Sequence, residues 1–102
     1  MVKHYKTVFG EKIYLTDDNW RHVVERHPEV ETYLSKIEEV LKLPDFVKLS
    51  RRDSSVHLYY KFYHEVYKGK YILVVVNNSK KYISTIFITD KIKLGETIWI
   101  KK

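Results

Sequence analysis

The 102-residue chain reads as an α+β domain, with two N-terminal helices packed on one face of a four- to five-stranded antiparallel sheet. Three observations predict this. Apolar residues recur at helical spacing between Thr16 and Leu43, and beyond Asp45 the period falls to two. The breaks between the later apolar runs are short and polar, which favours hairpins and hence antiparallel pairing. Helices gathered ahead of the strands, not alternating with them, give the α+β arrangement. At this length the chain is a single domain, 1–102, with one core.

Residues 1–15 form an N-terminal arm or hairpin: two short extended runs flank the turn Gly10-Glu11. Thr16 is a good N-cap, and Asp17 and Asp18 place acid at the positive end of the helix that follows. Trp20, Val23, Val24 and His27 fall at i, i+3, i+4 and i+7, one helical face. Pro28 ends that helix and suits the first position of the next. Val30, Tyr33, Leu34, Ile37, Val40 and Leu41 form the stripe of the second helix, which Leu43-Pro44-Asp45 terminates. The strands are expected at 46–50, 56–63, 71–76, 81–89 and 97–100. The continuous apolar run Tyr71–Val76 suits a central strand covered on both faces.

The composition excludes several classes. An apolar fraction of 44% belongs to a folded chain, not a disordered one. No apolar run approaches the roughly 20 residues needed to cross a bilayer, and no apolar segment follows the basic N-terminus as in a secretion signal, so no membrane is expected. Cysteine is absent, which removes disulfides and thiolate metal sites; a reducing cytoplasm is the expected setting. The five histidines lack paired ligand spacing, so no metal and no cofactor are expected. A net charge of +6 points to a polyanionic partner, RNA being the expected one. The bland alternative for the charge is a lysine-rich soluble surface.

The residues with chemistry cluster in two places. Trp20–Glu29 contains His22 and Arg26, four apart on one flank of the helix and able to grip one phosphate together. His27 ends the helix where carbonyls favour an imidazolium, which suits proton transfer as well as it suits a simple cap. The second place is the sheet. With Val56, Leu58, Tyr60 and Phe62 under the helices, His57, Tyr59, Lys61 and Tyr63 point away, joined by Thr85 and Phe87 when Ile86 and Ile88 face the core. Such a surface of rings, hydroxyls and ammonium groups fits RNA, although tyrosines also populate sheets for packing alone. Arg51 and Arg52, in the turn before the second strand, add a pair of phosphate forks.

Leu15-Thr16, Arg26-His27-Pro28-Glu29, Leu43-Pro44-Asp45, Tyr59-Tyr60-Lys61, Ile83-Ser84-Thr85-Ile86-Phe87 and Asp90-Lys91-Ile92-Lys93…Trp99 together resemble a known pattern. It is that of the phage-associated members of the barnase, EndoU, colicin E5/D and RelE-like nuclease superfamily. The resemblance covers roughly residues 12–101 and implies two helices followed by a four-stranded antiparallel sheet. It also implies metal-independent RNA cleavage, with His27 and Thr85 at the motif positions and a basic residue on the first sheet strands assisting. The family strand usually reads Thr-Ala-Tyr; here Thr85-Ile86-Phe87 lacks the phenolic hydroxyl.

The resulting expectation is a small ribonuclease, toxin-like in character, that cleaves RNA through attack of the 2′-hydroxyl. Its catalytic residues are His27, Lys61, Thr85 and Arg51, and its binding residues His22, Arg26, Tyr59, His57 and Arg52. His27 transfers protons, Lys61 and Arg51 stabilise phosphate charge, Thr85 bonds a phosphate oxygen and Tyr59 stacks or orients. An antitoxin or immunity protein is the further partner this reading allows. The alternative is a non-catalytic RNA- or protein-binding module that keeps the same fold.

Overall fold

The computed structural model describes residues 2–102. A hairpin of β1 (Lys3–Lys6) and β2 (Lys12–Leu15) leads into α1 (Asp17–Arg26). A 3₁₀ segment, Pro28–Lys36, then runs into the short α2 (Ile37–Lys42). Five strands follow: β3 (Phe46–Leu49), β4 (Val56–Tyr63), β5 (Lys70–Asn77), β6 (Tyr82–Thr89) and β7 (Thr97–Ile100). All seven strands join one curled, mixed sheet in the order β1-β2-β6-β5-β4-β3-β7.

This corrects the expected architecture of two helices on a four- to five-stranded antiparallel sheet. The N-terminal arm is an integral hairpin, and β2 joins β6 in parallel through the pair Tyr14 and Tyr82. The Tyr14 N–H donates to the Lys81 carbonyl at 2.9 Å, so the contact rests on few bonds and leaves no alternation of its own in the sequence. At the other end β7 pairs antiparallel with β3 and extends the sheet by one more strand. Both additions give backbone groups partners that a smaller sheet would leave exposed along its edges.

The second helix also differs from expectation. Pro28 starts it, but residues 28–36 wind as 3₁₀ and the path breaks at Tyr33 (φ −109°, ψ 15°) before α2 begins. The tighter winding brings i and i+3 into line. Val30 is thereby buried and Tyr33 packs on the core beside it. The first helix is capped as expected, with Thr16 Oγ1 accepting from the Asn19 N–H at 3.1 Å. Only Val23 of its stripe is fully buried, because α1 lies along the outer edge of β6, where the Asn19 side-chain amide donates to the Ile83 carbonyl at 2.9 Å.

Both faces of the sheet are packed. On the helix side Val47, Tyr59, Val74 and Ile86 stand side by side on β3, β4, β5 and β6, each at most 1% exposed. On the other side Leu58, Tyr60 and Leu73 form a second cluster against Phe46, Val75 and Phe87. The connection from β6 to β7, residues 90–96, lies over this second face: the Lys93 N–H donates to the Tyr60 hydroxyl at 3.0 Å. It closes at Gly95 (φ +153°), where a Cβ would lie 2.1 Å from the Leu49 carbonyl oxygen. Gly95→Ala is therefore expected to destabilise the protein by about 1–3 kcal/mol through a strained backbone and a forced shift of β3. Chemical denaturation measures this.

Candidate functional site

The face of β4 is opposite to the sequence expectation. Tyr59 and Tyr63 pack in the helix-side core, while Leu58 and Tyr60 belong to the other face. Two residues mark the direction. The Tyr63 hydroxyl donates to Glu39 of α2 at 2.5 Å, and the Lys61 ammonium donates to the Leu43 carbonyl at the end of α2 at 2.8 Å. Lys61 also approaches Asp45 at 3.9 Å, so it serves the negative end of a helix. Burial raises the Tyr63 hydroxyl well above its ordinary range, and the Glu39 hydrogen bond adds to the shift. Tyr59 is wholly enclosed, its hydroxyl pushed up to about 12 mainly by burial. It has no free face for a base to stack on.

His57 shares that side. Its ring meets the edge of Phe9 from the β1–β2 turn, and its Nδ1 is buried without a hydrogen-bond partner. Beside it Glu11 and Lys81 form an ion pair. Burial holds the His57 imidazole below its ordinary 6.5; Glu11 opposes that shift and Lys81 reinforces it. The folded protein thus favours neutral His57, which contributes stability above pH 6.5 that is lost as the pH falls through the lowered value. The melting temperature should fall more steeply from pH 7 to pH 5 in the wild type than in His57→Gln. Equal slopes in paired thermal melts would remove this role.

Thr85 and Phe87 do lie on the face away from the helix-side core, as expected with Ile86 turned inward. A bulge makes this possible. Val75 pairs with Thr85 but Val76 pairs with Ile83, so Ser84 is the extra residue and Ile83 and Ile86 both point to the core. Past the bulge, the edge of β6 is flanked by α1 instead of a strand. A cleft of about 330 Å³ results, lined by Asn19, His22, Val23, Arg26, Tyr82, Ser84 and Thr85.

At the end of α1 the chain turns and the His27 ring stacks on Phe87, with centroids 5.2 Å apart and planes 27° from parallel. Phe87 follows Thr85 by two residues, so the stack stands about 7 Å along the strand from Thr85 on the same face. Stacking covers a face of the imidazole and leaves its nitrogens, which lie in the ring plane, able to exchange protons. Nδ1 lies 3.7 Å from a Glu29 carboxylate oxygen, an ion pair whenever the ring is protonated.

The basic residues divide by what already holds them. Lys61, Lys81, Lys36, Lys70 and Arg21 are each paired with a carboxylate. Arg26, Arg51, Arg52, Lys91 and Lys93 have no ion pair among the described residues. Arg51 and Arg52 line a separate hollow with Ser50, Leu58, Lys93 and Leu94. That hollow is on the face of Thr85, two strands away, since Leu58, Val75 and Thr85 form one cross-strand row. His22, Arg26 and Thr85 thus share one cleft, and the His27 ring lies on Phe87 further along the same strand. Arg51 and Arg52 stand across the same face, while Lys61, Tyr59 and His57 lie on the opposite one. Asn19, Tyr82 and Ser84 were absent from the sequence expectation. Only the bulge and the edge position of α1 bring them to the cleft, and neither has a local sequence signal. Among the described residues no three His, Asp or Glu side chains group as ligands for a metal ion.

Residues 2–98 match the family model described as phage-Barnase-EndoU-ColicinE5/D-RelE like nuclease2. The chain belongs to this family. No curated protein and no solved structure matches it. Membership makes it a phage-type nuclease-family protein, and the match spans both the α1 corner and the β6 strand that build the cleft. No helix among the described residues is long and apolar enough to cross a membrane.

Proposed function

We propose that the protein is a metal-independent ribonuclease whose reaction takes place between α1 and β6. The observation that carries this reading is the meeting of His22, Arg26, Thr85 and the His27–Phe87 stack along one strand edge. Cleavage by the 2′-hydroxyl needs two proton transfers, one from the attacking 2′-oxygen and one to the departing 5′-oxygen. His27 and His22, separated by about 7.5 Å along the axis of α1, divide these between them. A bond forms from the 2′-oxygen to phosphorus and the bond to the 5′-oxygen breaks, leaving a 2′,3′-cyclic phosphate and a free 5′-hydroxyl. Arg26, exposed and without an ion pair among the described residues, neutralises the charge that builds on the phosphate, and the Thr85 hydroxyl donates to one of its oxygens. Glu29, 3.7 Å from its Nδ1, orients the His27 ring. Arg51 and Arg52 hold the strand where it leaves across the sheet.

The other reading is a non-catalytic RNA-binding module on the same face, and Phe87 favours it by supplying no hydroxyl beside His27. One set of assays separates the two. Purified protein freed of metal should cleave RNA to cyclic-phosphate ends, and His27→Ala should lower the rate by about 100-fold or more. Lys61→Met should keep near-normal kcat/KM while losing about 1 kcal/mol of stability, because its bond caps a helix instead of meeting substrate. RNA that binds without being cut, unaffected by His27→Ala, selects the binding module. A loss of cleavage in Lys61→Met equal to that in His27→Ala contradicts the proposed placement.

A further inference from the structure

The turn between β4 and β5 holds two successive non-glycine residues in the left-handed region, Tyr67 at φ 44° and Lys68 at φ 63°. Gly69 follows at φ 107°. A bulky aromatic residue rarely adopts this conformation, and it persists only where the surroundings impose it. Here they do. Val66 is fully buried, the Gly69 N–H donates to the Val66 carbonyl at 2.9 Å, and a Cβ on Gly69 would lie 2.9 Å from the Phe62 ring. The strained turn holds the Tyr67 ring out of the core, 55% exposed. Packing gives no reason for a tyrosine here, since glycine or asparagine would fit the turn with less strain.

The phenol borders a hollow of about 540 Å³, large enough for a nucleotide, between this turn and the end of β6. Ile88 and Thr89 line it, Lys70 is held there by Asp90 at 3.3 Å, and Lys91 is exposed, with no ion pair among the described residues. Glu29 forms the wall on the side of His27, lying 3.7 Å from its Nδ1. Thr89 follows Phe87 by two residues, so the hollow begins about 7 Å beyond the His27 stack, on the far side from the Thr85 cleft.

We propose that Tyr67, Lys70 and Lys91 form a subsite for the nucleotide next to the one cut at His27. The base stacks on the Tyr67 ring, and its phosphate meets Lys91, with Lys70 adding positive charge. This rests on the reading that single-stranded RNA occupies the α1–β6 cleft. Stacking on a ring tolerates any base, so the subsite adds affinity and register without strong sequence preference.

The test uses fluorescent 2′-deoxy oligonucleotides, which lack the attacking hydroxyl and are not cut, at two lengths and one fixed salt concentration. Extending the ligand from two to four nucleotides should tighten binding to the wild type about tenfold. Tyr67→Ala should lose that gain and keep the dinucleotide affinity, and Tyr67→Phe should retain the gain. Tyr67→Gly supplies the control for folding: it should melt at a higher temperature than the wild type, being relieved of strain, and still lose the gain. A wild-type protein that gains nothing from the added nucleotides overturns the subsite, as does a Tyr67→Gly that binds the longer ligand as tightly as the wild type. The nuclease reading is scored separately by cleavage of RNA. Length-dependent binding through Tyr67 without cleavage keeps the subsite and removes the nuclease. Cleavage with binding indifferent to Tyr67 does the reverse.

Discussion

The row Val47, Tyr59, Val74 and Ile86 across β3, β4, β5 and β6 sets everything else in the molecule. Side chains alternate along each strand, so a slip of one residue between neighbours would exchange the two faces. These four residues are almost completely enclosed, and such a slip would expose two strands' worth of apolar surface. With the row in place, Tyr63 and Lys61 face α2, and Thr85 and Phe87 are left for the other side. The location of the site therefore follows from core packing and not from any preference of the site residues themselves.

The places of the strands were legible in the chain, but their assembly into one seven-stranded mixed sheet was not. Period-two patterning located β4 and β7 to the residue, and Thr16 and Pro28 marked where helical segments begin. The face of β4 was not legible, because both of its alternating sets contain large apolar or aromatic residues: Leu58 and Tyr60 on one, Tyr59 and Tyr63 on the other. Alternation decides a face only where one set is polar. The single parallel contact between Tyr14 and Tyr82 was equally hidden, since it depends on where a distant hairpin docks. The same docking leaves the later part of β6 to α1, which creates the cleft.

For the site, the corner Arg26-His27-Pro28-Glu29 was recognisable in the sequence, and the fold brings Arg26 into one cleft with Thr85. The expectation chose its cations by their position along β4, and the distances show what those cations already hold. Lys61 is engaged by the Leu43 carbonyl and Asp45, and Asp45 in turn accepts from the Phe62 N–H at 2.8 Å. A lysine so committed to the α2–β3 corner is poorly disposed to meet a phosphate, whereas Arg26 is exposed and has no carboxylate partner among the described residues. Commitment to an internal partner cannot be read from a linear sequence; it needs the distances. Phe87 also changes meaning in the fold. As a substitute for tyrosine it was a missing hydroxyl, but in the structure it is the surface that positions the His27 ring.

In the proposed reaction the substrate lies against the β6 edge and not against the tyrosine-rich side of β4. Backbone amide NMR with a 2′-deoxy trinucleotide added in steps tests it directly. The largest shift changes should fall on Ser84–Thr89 and on Arg26–Glu29, with His57, Tyr59 and Lys61 nearly still. Changes centred on His57–Lys61 and the Phe9 turn, with residues 84–89 unmoved, would contradict it.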